Sequence, residues 1–193
     1  MAPMAATTAA ALAIPLLATP AAQGGILKKR MHVRVGDTAA VIGRAAPGVA
    51  KLQIHRGGVW RTIDRDRTTP TGRYVLRDRM RRPMSVAARV HTAAGRHRLG
   101  RLNAYRAASA SWYGPGLYGN RLACGGTLRP GRLGVAHRTL RCGTKLVLWH
   151  RGRTVGVRVI DRGPYVAGRE FDLTEATARR LHFHGHGTIF ATR

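Results

Sequence analysis

The sequence predicts a mainly β protein with one short helix, and three observations support this. Twenty-four of the 193 residues are glycine, which favours turns and short strands over long helices. Apolar and polar side chains alternate in several short segments, as around Leu52 and Ile54, and this is the period of a half-buried strand. A helix is indicated over residues 175–182, where Thr174 is a suitable N-cap.

The first residues form an apolar, alanine-rich run. Residues 4–22 end in small side chains and resemble the core of a secretory signal, although no Lys or Arg precedes them. A membrane span is the alternative, and Pro15 and Pro20 argue against it. We therefore predict a signal peptide over residues 1–22, export, and no stable transmembrane segment after processing.

The next part of the chain predicts a small antiparallel β-sandwich. Residues 23–31 are short and basic and indicate a linker, and residues 32–105 contain short strands at the spacing of a sandwich. Turns are expected at residues 56–58 and 69–72, where Gly and Pro cluster. Residues 51–76 resemble bacterial immunoglobulin-like modules, so we predict an immunoglobulin-like β domain over 32–105.

Residues 106–193 predict a second β domain. A hairpin is expected over residues 145–160, a short helix follows Thr174, and Gly187 to Ala191 closes as a last strand. This pattern suits a small barrel better than a doubly wound sheet. The Arg-rich segment 96–107 is expected to bridge the two domains.

The chain carries a large positive charge. Thirty-four Lys and Arg against eight Asp and Glu give a net charge of +26, spread over both halves. Such a field attracts polyanions, among them nucleic acid, teichoic acid and anionic lipid head groups. The alternative is an Arg-rich surface without a specific partner.

Several motifs of the second domain occur together and in a recognisable order. They resemble the rare lipoprotein A family, and more remotely expansins, barwin-like proteins and family 45 endoglucanases. The resemblance implies a six-stranded double-psi β-barrel with a short helix, and a protein that acts on peptidoglycan; some members are lytic transglycosylases. The motifs are Ser111-Trp112-Tyr113-Gly114, residues 134–140, residues 159–165, Gly168-Arg169 and Asp172-Leu173-Thr174.

Asp161 is the leading candidate for a catalytic acid. It follows an apolar strand and precedes a Gly-Pro turn, and cleavage of a glycan needs a carboxylic acid that protonates the glycosidic oxygen. The remaining carboxylates of this domain are expected in different roles: Glu175 at the helix start, Asp172 as its support, and Glu170 as an exposed residue. The alternative is that Asp161 caps backbone N–H groups in a turn or pairs with Arg162.

Further candidates surround Asp161 in the sequence. His137 is a candidate to orient a hydroxyl group or Asp161, or else a structural histidine. Trp112 and Tyr113 are candidates to stack on sugar rings, or else core aromatics. Arg162 and Tyr165 complete the predicted substrate-binding set.

One position departs from the family. The family's segment Thr-Ala-Asn-Gly-Glu corresponds here to residues 122–126, and Gly126 stands where the family has a glutamate that is thought to be catalytic. A non-catalytic, expansin-like protein that binds cell-wall glycan is therefore the alternative to a lytic transglycosylase. A cationic nucleic-acid-binding protein is the third hypothesis, but no recognition helix is evident.

The two cysteines, Cys124 and Cys142, are expected to form a disulfide bond if the chain is exported; two free thiols are the alternative. We expect no cofactor and no metal. The predicted partners are peptidoglycan glycan strands and anionic cell-wall polymers, without specific nucleic acid, at a secreted or cell-wall-associated location.

Overall fold

The computed structural model describes residues 24–193, so the predicted signal peptide lies outside the described residues. In this part of the chain no helix is long and apolar enough to cross a membrane. The elements are β1 (Gly25–Arg30), β2 (His32–Arg34), β3 (Thr38–Arg44), β4 (Val49–Arg56), β5 (Val59–Arg67), β6 (Arg73–Arg79), β7 (Met84–Thr92), β8 (Gly95–Tyr113), β9 (Val135–Ala136), β10 (Lys145–His150), β11 (Arg153–Asp161), β12 (Phe171–Thr174), α1 (Glu175–Leu181) and β13 (Gly187–Ala191).

The first half is a sandwich of two sheets. One sheet has the order β1-β3-β6, and the other contains β5-β4-β7 and the first part of β8, with β2 beside it. Their inner faces enclose one core in which Leu52, Leu76, Val90 and Leu102 are fully buried. This confirms the predicted small sandwich, whose strand pairs are antiparallel except for β2 with β8. The immunoglobulin-like assignment stays a prediction.

Two aspartates of β5 close the gap between the sheets. The carboxylate of Asp66 accepts a hydrogen bond from the backbone N–H of Val75 at 2.7 Å, and that of Asp64 accepts one from the N–H of Arg77 at 2.6 Å. These amides belong to β6, the edge of the three-stranded sheet. An edge strand leaves backbone groups unpaired, and here acidic side chains satisfy them.

Two segments expected to connect domains are strands. The predicted linker is wrong because residues 25–30 form β1, which pairs with β3. Residues 96–107 do lie between the two halves, but as part of the continuous strand β8. In β8, exposed Arg residues stand between buried apolar residues such as Leu99 and Leu102, and in β1 exposed Lys and Arg follow the half-buried Ile26. The many Lys and Arg residues therefore obscure the strand period in the sequence of these two segments.

The second half is a closed ring of six strands. The order is β12-β9-β11-β10-β13-β8, and β8 pairs again with β12. Two of the pairs, β8 with β12 and β9 with β11, are parallel. The ring encloses a core that includes Leu148, Val159, Phe171, Leu173 and Ile189. This confirms the predicted mainly β fold with a small C-terminal barrel.

The single helix of the described residues packs against this ring. Thr174 is its N-cap, as predicted, and its hydroxyl accepts a hydrogen bond from the backbone N–H of Thr177. The helix ends at Leu181, and His182 adopts a left-handed conformation with φ of 50°. Ala178 and Leu181 face the barrel core. The helix therefore fixes the chain directly after β12.

Candidate active site

The strand register of the barrel places two carboxylates in one row. Asp161 of β11 lies opposite Ala136 of β9, Ala136 lies opposite Asp172 of β12, and Asp172 lies opposite Ser111 of β8. Residues directly opposite each other share one face of a sheet. Because adjacent strands are about 4.8 Å apart, the backbones of the two aspartates are separated by about 10 Å. Between them stands the small side chain of Ala136.

Asp161 is held by backbone groups. Its Oδ1 accepts hydrogen bonds from the N–H groups of Ala123 and Arg162, both at 2.9 Å. The side chain of Arg162 points elsewhere: its Nη1 donates to the carbonyl oxygens of His137 and Leu140 at 3.1 and 2.9 Å. Arg162 therefore stabilises the loop that contains His137 and Leu140. Asp161 is fixed in orientation by the two backbone N–H groups, without a direct ion pair to Arg162.

Asp172 lies in a less polar environment than Asp161. Its Oδ1 accepts a hydrogen bond from the Ser111 hydroxyl at 2.9 Å. Burial, together with the negative charge of Asp161, raises the pKa of Asp172 above its ordinary value, although the Ser111 hydrogen bond and the charge of Arg169 oppose this. The carboxylate of Asp172 contacts Ser111 of β8, and its expected support of the helix start stays a prediction.

Tyr113 belongs to the same group. It lies on the same face of β8 as Ser111, and burial followed by the charges of Asp161 and Asp172 raises its pKa. Within residues 24–193 the buried hydroxyl of Tyr118 has no hydrogen-bond partner, whereas the hydroxyl of Tyr113 lies close enough to the carboxylate of Asp161 for that interaction to contribute to its raised pKa. A buried unpaired hydroxyl is destabilising by about 1–3 kcal/mol.

His137 is directed away from this group. Its Nδ1 accepts hydrogen bonds from the backbone N–H groups of Thr139 and Leu140 at 3.1 and 3.0 Å, so the ring proton is on Nε2. Nε2 lies 3.7 Å from the carboxylate of Glu170, and the ring packs on Phe171 with centroids 4.9 Å apart. Burial lowers the pKa of His137 despite the charge of Glu170. These contacts favour a structural histidine.

Glu170 is anchored rather than exposed. Its two carboxylate oxygens accept hydrogen bonds from the two terminal nitrogens of Arg106, and 30% of its side chain is accessible. Burial raises the pKa of Glu170, but the hydrogen bonds and charge of Arg106 outweigh burial and hold it below its ordinary value. The expectation of an exposed Glu170 is therefore wrong, and the pair ties β8 to the start of β12.

The remaining predicted substrate contacts are divided. Trp112 is 38% exposed and lies opposite Leu173, on the face of β8 that is turned away from Ser111 and Tyr113. Tyr165 is 80% exposed, four residues after Asp161 along the chain. The structure thus groups Tyr113 with the two aspartates and places Trp112 on the other side of its strand. Their roles in binding stay predictions.

Comparison with known proteins assigns the barrel to a protein family. A family model described as lytic transglycolase matches residues 105–191. This part of the chain belongs to the RlpA-like double-psi β-barrel family. The chain is 36% identical over 121 residues to a probable endolytic peptidoglycan transglycosylase RlpA of Synechocystis, 41% over 81 residues to the enzyme so named in Campylobacter jejuni, and 43% over 82 residues to a probable one in Aquifex aeolicus.

The matches cover only part of each protein. They span 57%, 41% and 42% of this chain, and 38%, 30% and 36% of the three relatives. The match to the solved structure of a Streptomyces papain inhibitor covers 46% of this chain and 94% of the inhibitor chain, with 20% identity. Its TM-score of 0.34 is too low to establish a shared fold.

The position at which this RlpA-like domain lacks the family's glutamate has a definite local structure. Gly126 has φ of +76°, and a Cβ there would lie 2.8 Å from Nη1 of Arg132. The guanidinium of Arg132 donates to the carbonyl oxygens of Thr127 and Gly125 at 3.1 and 3.4 Å. The guanidinium of Arg132 therefore lies where the Cβ of a glutamate at position 126 would be. The positive φ would also strain the backbone of a glutamate at this position.

The predicted disulfide between Cys124 and Cys142 is confirmed. It joins the loop that contains Ala123, whose N–H holds Asp161, to the segment that follows His137. The bond therefore stabilises the loop next to the carboxylate row.

Replacing both cysteines tests this stabilisation. The residues are 18 apart in sequence, and a loop of this size predicts that Cys124→Ala with Cys142→Ala lowers the free energy of unfolding by about 3 kcal/mol. Urea unfolding followed by tryptophan fluorescence measures the difference. A reductant should shift the wild-type midpoint and leave the variant unchanged; equal midpoints for wild type and variant without reductant would contradict the prediction.

Proposed function

We propose that this protein acts outside the cell on the glycan strands of peptidoglycan, as a lytic transglycosylase whose site is formed by Asp161, Asp172 and Tyr113. The observation that carries the proposal is the row in which two carboxylates of unlike environment share one face of the barrel. Paired carboxylates whose environments differ are the usual apparatus for breaking a glycosidic bond.

The geometry supports a division of roles. Asp172, whose pKa is raised by burial, keeps its proton to higher pH and donates it to the glycosidic oxygen as the C–O bond breaks. The 6-hydroxyl of the same sugar then bonds to C1 and gives its proton to Asp161, so a 1,6-anhydro ring forms without water. The sequence assigned the acid role to Asp161; we assign it to Asp172 and give Asp161 the role of base.

The relatives support the chemistry. Two of the three relatives compared above are 41% and 43% identical to this chain over 81 and 82 residues, and they are named as a peptidoglycan transglycosylase and a probable one. The chain spans about a third of their length, so their activity comes to this chain as part of the proposal. The net charge of +26 supports a location among anionic cell-wall polymers.

A non-catalytic glycan-binding protein is the second candidate. It is favoured by Gly126, because the domain lacks a carboxylate there and presents Arg132 instead. In that case the two aspartates would bind sugar hydroxyl groups without cleavage.

Substitution of each aspartate separates the two candidates. Asp172→Asn and Asp161→Asn keep the shape of the site but remove a proton donor and a proton acceptor, and each should lower the release of soluble fragments from sacculi by about 10²- to 10⁴-fold. Binding to sacculi, measured by co-sedimentation, should change little.

The matched control for this experiment is Asp78→Asn. Asp78 is a partly buried carboxylate of the sandwich whose pKa is also raised, first by burial and then by Asp64. It should leave release unchanged. A folded wild-type protein that binds sacculi and releases nothing between about pH 4 and 8 would refute the enzyme and support the binding protein.

The hydrogen bond from Ser111 gives a pH test of the acid. Activity that needs protonated Asp172 is present below its pKa and is lost as the pH rises through it. Because the Ser111 hydroxyl lowers the pKa of Asp172, Ser111→Ala should raise that pKa further and move the loss of activity to higher pH.

The pH profile of fragment release measures this shift. Ser109→Ala is the control, since Ser109 lies on the same face of β8 and is exposed. An unchanged profile, or one moved to lower pH, would exclude Asp172 as the acid.

A further inference from the structure

The outer face of the sandwich sheet β5-β4-β7-β8 carries rows of like charge. Lys51 of β4 lies directly opposite Arg65 of β5 on one side and His91 of β7 on the other, and His91 lies opposite Arg96 of β8. In the next row Arg89 of β7 lies opposite Arg98 of β8. We call this surface the basic face and define it by Lys51, Arg65, Arg89, Arg96 and Arg98.

No acidic side chain of β5 neutralises this surface. Asp64 and Asp66 are turned to the other side of the sheet, where they accept hydrogen bonds from the backbone of β6. Like charges directly opposite each other on adjacent strands destabilise a sheet. The pKa of Arg89 is accordingly lowered, first by desolvation and then by the charge of Arg96. A bound polyanion would remove this repulsion.

We propose that the basic face binds a flexible phosphodiester polymer of the cell wall, of the teichoic acid type, independently of the carboxylate row in the barrel. Guanidinium groups bind phosphate through two parallel hydrogen bonds. Neighbouring strands present these groups at intervals of about 4.8 Å on an open sheet, which a flexible chain can follow.

The aromatic residue on this surface argues against single-stranded nucleic acid. Such binding depends on aromatic rings on which bases stack. The ring of Trp60 is covered by the guanidinium of Arg89 at 4.0 Å from its centroid and packs on His55 at 5.1 Å. Arg89 is fixed there by a 2.8 Å hydrogen bond to Gln53. The surface therefore offers charge rather than a stacking platform.

Two variants of equal charge test the proposal. The first replaces Lys51, Arg65, Arg96 and Arg98 by Gln. The matched control replaces four exposed cationic residues on the opposite sheet of the same sandwich, Lys28, Arg44, Arg73 and Arg77, by Gln. Binding of poly(glycerol phosphate) to the full chain is measured by fluorescence anisotropy from low to high salt.

We expect the basic-face variant to lose about tenfold or more in affinity for the polymer. The plot of log K against log salt concentration should become less steep, its negative slope decreasing in magnitude by about 2 to 3. The control should lose less than about threefold. The midpoint of thermal unfolding of the basic-face variant should not fall, because the substitutions remove repulsion between like charges.

Three results would overturn the proposal. Equal losses in the two variants would show that the charge acts diffusely. Tighter binding of single-stranded DNA of the same phosphate number would assign the surface to nucleic acid, and equal binding of polyglutamate would exclude phosphate recognition. Asp161→Asn should leave polymer binding unchanged, so failure of the catalytic proposal is distinguishable from failure of this one.

Discussion

Strand β8 runs without interruption from Gly95 to Tyr113, and both halves of the molecule are built on it. Its first part pairs with β7 and β2 and contributes Leu102 and Ala104 to the sandwich core. Its second part pairs with β13 and β12 and contributes Ala108 and Ala110 to the barrel core. One strand shared by two cores sets the position of each domain against the other, and any shift of its register would disrupt both.

The same strand determines the site. Parallel pairing of β8 with β12 places Ser111 opposite Asp172, and pairing of β12 and β11 with β9 brings Asp161 into the same row. The ion pair between Arg106 and Glu170 stabilises this alignment at the start of β12. Burial then makes the two carboxylates unequal, because Asp161 is held by backbone N–H groups whereas Asp172 loses solvent. Catalytic potential thus follows from strand register.

Local patterns in the sequence were sufficient to predict a mainly β chain, the N-cap at Thr174 and the disulfide, because each depends on neighbouring residues or on residue counts, whereas the double-psi barrel was implied by the family resemblance. They were not sufficient to predict a catalytic role for Asp172, because its partner Ser111 is 61 residues away in the sequence and the two meet only through the parallel pairing of β8 and β12. His137 shows the same limit: the motif suggested a role beside Asp161, but its ring turns to Glu170. Alternation of Phe171 and Leu173 places Asp172 on the opposite face from the core, yet gives no information on what it meets there.

The central claim is that the carboxylate row breaks glycan strands by intramolecular transfer rather than by hydrolysis. Its most direct test is mass spectrometry of the fragments that the purified chain releases from glycan strands freed of peptides, in water enriched in ¹⁸O. Intramolecular transfer predicts fragments ending in 1,6-anhydro sugars without ¹⁸O, since the 6-hydroxyl of the sugar replaces water. Reducing ends that carry ¹⁸O would contradict it, because they would show that water is the nucleophile.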